Sequence, residues 1–340
     1  MRATVLGAGV AGLACAVQLA ERGVAVEVLE RGERLGAACC SWYAGGMLAP
    51  WCELESAEPL VATLGAEGLG WWRTRFAATA LDGSLVIAHG RDTGELRQFA
   101  QRTARYEWLA REAIGELEPD LAGRFSQALY FPDEGHLDPR AALGALATRL
   151  AELGGVIRFG VTGEVGREGA IGDAGALIDC RGLAARDALP ELRGVKGEML
   201  ILRLPEINLS RPVRVLHPRV PIYIVPRGAG CYMVGATMIE SDEPSRITAR
   251  SMLELLSAAY ALHPAFAEAE ILEIGTGVRP AFPDNLPRVC RIGGTIHVNG
   301  LYRHGFLLAP ALARQAVELV LGEGPAVEVI HADSRQRRLA

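Results

Sequence analysis

A run of glycines close to the start of the chain has the spacing of a phosphate cradle. Gly7-Ala8-Gly9-Val10-Ala11-Gly12 follows directly on the apolar stretch Ala3–Leu6, and an acid, Glu30, closes the next apolar stretch, Ala25–Leu29. Gly7 permits a tight turn out of a strand, Gly9 lets backbone approach a pyrophosphate, and Gly12 lets a helix pack close on a sheet. The first N–H groups of that helix, at Val10 and Ala11, have no helical partner and carry partial positive charge, which suits phosphate oxygens. Glu30 can accept hydrogen bonds from ribose hydroxyls. The chemistry implied is the capture of a dinucleotide.

The flanking elements agree with that reading. Ala3–Leu6 reads as a strand, the alanine-rich Leu13–Arg22 as a helix stopped by Gly23, and Ala25–Leu29 as a second strand. Together they make a βαβ unit, which alone leaves nicotinamide and flavin both open. Further on, helices are expected over Leu60–Ala80, Gln98–Ala113, Pro139–Leu153, Ala249–His263 and Ala309–Leu321. Strands are expected at Ser84–Ala88, Tyr130–Phe131, Val156–Phe159, Ala176–Cys180, Lys196–Leu204, Ile222–Val225, Cys231–Ala236 and Thr295–Val298, with Gly228-Ala229-Gly230 as a hairpin turn.

The strand and helix alternation of the N-terminus returns in Pro139–Gly182 and Thr295–Gly322, while the middle has antiparallel character. The expected fold is therefore α/β: a Rossmann-like dinucleotide-binding domain assembled from residues 1–75, 136–190 and 275–340, with an inserted, mainly antiparallel sheet domain at 76–135 and 191–274. Such an interrupted domain favours flavin over nicotinamide. The loop Arg303-His304-Gly305-Phe306-Leu307-Leu308, leading into the last helix, can set backbone N–H groups against the ring, where a helix N-terminus stabilises the negative charge of the reduced form.

Bulk composition narrows the function classes. The chain of 340 residues is half hydrophobic and 22% charged, as expected of a globular protein with a large core. Its net charge of −5 gives no footprint for nucleic acid, and Arg335-Gln336-Arg337-Arg338 reads as a solvated tail. No apolar run is long enough for a membrane span, and nothing before the first strand leaves room for a signal peptide. Seven scattered cysteines suggest a reducing cytoplasm rather than a disulfide framework. Cys39-Cys40 and nearby Cys52 lack a second cluster at zinc spacing, so no metal is expected.

Four segments carry a family resemblance: VLGAGVAGL…EVLER at the N-terminus, YAGGMLAP at 43–50, YIVPR…VGATM at 223–238, and GVRPAFPDNLP with LYRHGFLLAP at 277–310. In these segments and their order the chain resembles the D-amino-acid-oxidase-like FAD oxidoreductases, most nearly the glycine oxidases of thiamine biosynthesis. The resemblance implies non-covalent FAD. It makes Tyr223 and Met238 residues of the substrate cavity, Arg279 the partner of the substrate carboxylate, and Arg303 a second arginine near the site. It also implies that Val161 supplies backbone contacts to adenine and that Gly305, Phe306 and Leu307 approach the flavin. Arg31, Gly46, Met47, Gly182 and His304 complete the candidate cofactor contacts.

The residue types are suited to these roles. A guanidinium is the natural bidentate partner of a small planar anion. By itself Arg279 reads rather as a surface or interdomain salt-bridge residue, Tyr223 as a core tyrosine and Met238 as plain packing; the motifs they stand in reverse that reading. The expected reaction is hydride transfer from an amino acid Cα to flavin N5, with O2 reduced to H2O2. The imine is hydrolysed to glyoxylate and ammonia or passed to a thiazole synthase. A homo-oligomer is expected from the resemblance alone. The loop at Trp42 and Tyr43 is bulkier than the run expected before GGML, and Arg181 stands where a small residue is commoner. A D-amino acid or sarcosine therefore remains a rival substrate, as does a side chain of a partner protein.

Overall fold

The computed structural model describes residues 1–162 and 175–323; the basic run Arg335–Arg338 lies outside them. The chain divides into two compact units. The first comprises Met1–Trp42, Arg140–Val195 and the chain from Val278; the second comprises Tyr43–Pro139 and Lys196–Gly277.

The first unit is built on a six-stranded sheet in the order Arg288–Ile292, Thr295–Asn299, Ala176–Asp179, Arg2–Leu6, Ala25–Glu30, Val156–Phe159. All neighbours are parallel except Arg288–Ile292, which runs antiparallel to Thr295–Asn299. Thr295–Asn299 is buried throughout, as a central strand covered on both faces requires. The helix Val10–Glu21 packs on the first two strands and on the helix Gly305–Leu321. Lying between sheet and helix, it is buried around most of its circumference and so is small and apolar all round. The side chain of Gln18 donates to the Pro310 carbonyl at 2.9 Å, tying the two helices together.

The second unit holds most of a nine-stranded sheet in the order Ile239–Glu240, Arg193–Arg203, Cys231–Gly235, Ile222–Gly228, Val213–Leu216, Ser84–Ala88, Gln127–Phe131, Glu107–Ala110, with Glu270–Ala281 paired to Arg193–Arg203. Val213–Leu216 lies parallel to Ser84–Ala88, while the pairs on either side of them are antiparallel. The expected hairpin is present: Gly228 pairs with Cys231, and Ala229 and Gly230 both take positive φ, as a two-residue turn matched to strand twist requires. One face of the sheet buries Leu85, Ile87, Leu200, Leu202, Ile224 and Val234 under the helix Ala249–Leu262. A separate cluster joins Ala49, Cys52, Val86, Leu96, Phe99 and Phe131.

Several expectations change. Gln98–Ala113 is not one helix but two, Thr93–Arg102 and Arg111–Leu117, with a strand, Glu107–Ala110, between them. Thr103 is extended and Arg105 takes φ +58°, which breaks the helix, and the following residues pair with Gln127–Phe131. The helix expected over Leu60–Ala80 ends at Arg75; Ala80 instead bridges to His136. The last helix begins at Gly305 rather than Ala309, Leu308 N–H reaching the His304 carbonyl at 2.8 Å. The opening segment of the first compact unit ends at Trp42, and beyond it Ala49 and Cys52 are core partners of Val86 and Phe131.

Candidate functional site

In the first unit the glycines are fixed by backbone contacts. Gly7 takes φ +95°, and a β-carbon there would stand 2.8 Å from the Cys180 carbonyl oxygen. A β-carbon on Gly12 would lie 1.9 Å from the Gly7 carbonyl oxygen. No side chain can enter either position without displacing backbone. Gly9 caps the helix in extended conformation with no side-chain cap. The Val10 N–H is met by the Ser41 hydroxyl at 3.2 Å. Ser41 escaped the sequence reading, since nothing in CCSWYAGG marks one serine as facing a helix end.

Glu30 is buried. One carboxylate oxygen accepts from Ala8 N–H and the other from Gly32 N–H, each at 2.7 Å. These bonds join the glycine loop to the end of the second strand, and two of the four acceptor positions of the carboxylate are left over for hydroxyls. Val161 sits beside it, but its N–H already donates to the Glu30 carbonyl at 3.0 Å. Any contact of the Val161 backbone with adenine therefore falls to its carbonyl. Arg31 is exposed and reaches the Ala38 carbonyl at 3.4 Å.

The C-terminal loop closes on the same region. A β-carbon on Gly305 would be 3.6 Å from Val10 Cγ1, so the starts of the two helices are neighbours. His304, buried, occupies the cap position of the second helix without a side-chain cap bond. Phe306 and Leu307 are buried in its first turn. The Tyr302 N–H donates to the Pro280 carbonyl at 3.1 Å, which brings the neighbours of Arg303 and Arg279 together. Arg303 is exposed and Arg279 half-buried. The Cys40 thiol lies near enough to Arg279 to respond to it: burial pushes its pKa up and the guanidinium opposes that rise. Gly182, at φ +59°, lies beside Pro280, and its carbonyl accepts from the Asn299 side chain at 2.9 Å.

Arg181 is turned to carboxylates of its own unit. It makes a two-pronged pair with buried Asp179, at 3.0 and 2.7 Å, and reaches Asp187 at 2.9 Å. Burial would raise the Asp179 pKa, but hydrogen bonds from His297 and Arg181 outweigh it and hold the group at about 2.

The second unit holds Tyr223, Met238, Gly46 and Met47. Tyr223 is half-buried on the Ile222–Gly228 strand, opposite Gly235. A β-carbon on Gly45 would lie 2.7 Å from its ring and 3.4 Å from its hydroxyl oxygen. Met238 is 50% exposed, after Thr237, whose hydroxyl accepts from Glu198 N–H at 2.9 Å. Gly46 takes φ +70° and faces the Leu137 carbonyl, and Met47 pairs with His136 in a short antiparallel ladder. The Tyr43 ring covers Gly275 and lies beside Met199.

Two adjoining helix N-termini, two glycines pressed against backbone, and a buried acid with acceptor capacity fit a flavin dinucleotide. Gly9, Val10, Ala11 and Gly12 would take its phosphates, Glu30 its ribose and Gly305–Leu307 the ring side. The family described as "DAO: FAD dependent oxidoreductase" matches residues 2–319, and the chain belongs to it. It is an FAD-dependent oxidoreductase.

A protein of Rhizobium etli named "Putative thiamine biosynthesis oxidoreductase ThiO" is 56% identical over 324 residues, covering 95% of this chain and 97% of that protein. A "Bifunctional protein ThiO/ThiG" of Nostoc sp. is 29% identical, covering 98% of this chain but 55% of that protein. Glycine oxidase of Geobacillus kaustophilus is 28% identical over 357 residues, covering 93% of this chain and 92% of the enzyme. A crystal structure of glycine oxidase from that organism matches this fold with a TM-score of 0.81 at 24% identity, covering 96% of each chain.

Among the described residues no helix is long and apolar enough to cross a membrane. All seven cysteines are free thiols.

Proposed function

We propose that this FAD-dependent amino acid oxidase oxidises glycine or another small amino acid to the imine, in the service of thiazole formation for thiamine. The observation that carries the reading is the arginine pair. Arg279 and Arg303 flank the Tyr302–Pro280 backbone bond in the same unit as the two adjoining helix N-termini. FAD, when bound non-covalently, supplies a two-electron acceptor that O2 regenerates with release of H2O2.

The chain's own residues have binding and positioning work. Arg279 pairs with the substrate carboxylate and fixes the direction of Cα, with Arg303 adding positive charge at the entrance. In the second unit the family resemblance gives Tyr223 a hydroxyl and Met238 an apolar surface for contact with substrate. The amine loses its proton to solvent before oxidation, so no dedicated base is required. Water then converts the imine to glyoxylate and ammonia, or the imine passes to a thiazole synthase. The R. etli relative's name and the paired name of the Nostoc protein support that second route.

The test is a peroxide assay on the purified holoenzyme with glycine, sarcosine and D-alanine, beside Arg279→Ala. Glycine is expected to be oxidised fastest. Absence of peroxide with every amine overturns the oxidase reading. Full activity in Arg279→Ala removes the carboxylate assignment and leaves the reaction class standing.

A further inference from the structure

The ring of Tyr223 is bounded by glycine on two sides. Besides the Gly45 contact, a β-carbon on Gly235 would stand 3.4 Å from the same ring edge. The Gly235 side is a strand and is fixed by its ladder. The Gly45 side is a loop, and its first ladder residue is Met47. Something else must hold Ala44 and Gly45 in place.

Arg227, four residues along the strand from Tyr223, does so. Its Nη2 donates to the carbonyls of Ala44 at 3.1 Å and Gly45 at 2.9 Å, and its Nη1 donates to the Leu137 carbonyl at 3.2 Å. The side chain is 8% exposed, and the Asp138 carboxylate is 3.7 Å from Nε. Leu137 N–H in turn reaches the Gly46 carbonyl at 2.9 Å, so one guanidinium links both strands of the loop's base. A buried cation is costly unless its donors are met, and here three backbone carbonyls meet them. Only the planar fork of arginine spans three acceptors; a lysine ammonium is a point donor.

We propose that Arg227 is a positioning residue for amino acid oxidation. It holds Gly45 against the Tyr223 ring and thereby sets where the Tyr223 hydroxyl is presented. The inference rests on the assignment of Tyr223 to the substrate cavity. The pattern YIVPR contained Arg227 all along, but a side chain that serves backbone carbonyls leaves no trace in residue types.

The test is a double-mutant cycle on the holoenzyme, using whichever of glycine, sarcosine and D-alanine is oxidised fastest. Arg227→Lys is expected to raise KM about tenfold with kcat changed less than about threefold. In a Tyr223→Ala background the same change is expected to alter kcat/KM by less than about twofold, since nothing remains to be positioned. An unchanged KM in Arg227→Lys, or an equal loss in the background lacking the ring, overturns the proposal. If Tyr223→Ala itself leaves KM unchanged, the cavity assignment fails instead, which is a separate result.

Two further measurements stand apart from Arg227→Lys kinetics. Gly45→Ala, which pushes the ring from the loop side, is expected to raise KM in the same way; an unaltered KM counts against the proposal. Amide exchange over residues 43–48 is expected to quicken in Arg227→Lys while the Ile222–Gly235 hairpin stays protected. Unchanged exchange in the loop overturns the clamp.

Discussion

The two units fix their loops by opposite means. In the first, the chemistry belongs to the backbone: helix N–H groups, a carbonyl pressed against Gly12, and a Glu30 whose carboxylate is oriented by the Ala8 and Gly32 amides. In the second, side chains act on backbone: Arg227 gathers three carbonyls, and the Tyr223 ring rests on glycines. A backbone site tolerates almost no change at its glycines yet is indifferent to many neighbouring side chains. An arrangement held by side chains can be retuned one residue at a time, which would suit the substrate-contacting role proposed for Tyr223.

The sharpest break in this contrast is Gly12→Val. Its β-carbon would collide with the Gly7 carbonyl, so we expect a loss of more than about 3 kcal/mol in stability and protein that purifies without FAD, read by thermal melting and flavin absorbance. A substitution at Glu21, the exposed residue of the same helix, should change stability by less than about 0.5 kcal/mol.

The next effect comes from the second unit. Burial, with Arg227 nearby, holds the His136 pKa at about 4, below its ordinary value of 6.5, despite the opposing pull of Asp82. A histidine held neutral in the fold contributes stability that is complete above pH 6.5 and is lost as pH falls through about 4. The contribution is on the order of 3 kcal/mol, and a His136→Leu variant should show a flatter dependence of Tm on pH between 6.5 and 4. An equal slope in both proteins would assign the acid sensitivity elsewhere.

Arg279→Ala should then raise KM for the amino acid about fiftyfold, with FAD content unchanged, since a charge-assisted pair is lost. The smallest effect is expected at Glu30→Gln. It keeps an acceptor for one amide and presents a donor to the other, weakening FAD about fivefold by titration while substrate KM is unaffected. A Glu30→Gln change in KM, or an Arg279→Ala loss of FAD, would blur the separation of roles.

Legibility in the sequence followed the same divide. The N-terminal βαβ unit was readable because glycine spacing, strand, helix and stop signal all arise within one local stretch. The Cys231–Gly235 hairpin was readable from Gly228 and Gly230. Glu107–Ala110 was not: its residues carry helical spacing, and only pairing with Gln127–Phe131 makes them a strand. Glu270–Ala281 was missed as a strand because its partner Arg193–Arg203 lies far away in the chain, and Val213–Leu216 was missed although its antiparallel partner Ile222–Gly228 is close by. Glu30 closes the second strand as its position in the sequence implied, yet its hold on Ala8 and Gly32 was invisible. Ser41 and Arg227 had no signal, because their partners are backbone atoms rather than side chains.

The helix Gly305–Leu321, which packs on Val10–Glu21 and shares its N-terminal neighbourhood, has a consequence for biosynthesis. During translation the first βαβ stretch emerges early, but the strands that flank it, Val156–Phe159 and Ala176–Asp179, and its helix partner emerge far later. At about 5–20 residues per second the ribosome leaves the opening strands without their neighbours for many seconds. Contacts so distant in sequence also form slowly. The nascent chain therefore cannot complete the packing around its nucleotide cradle until Gly305–Leu321 has been made, so FAD capture waits on that helix rather than on the opening strands.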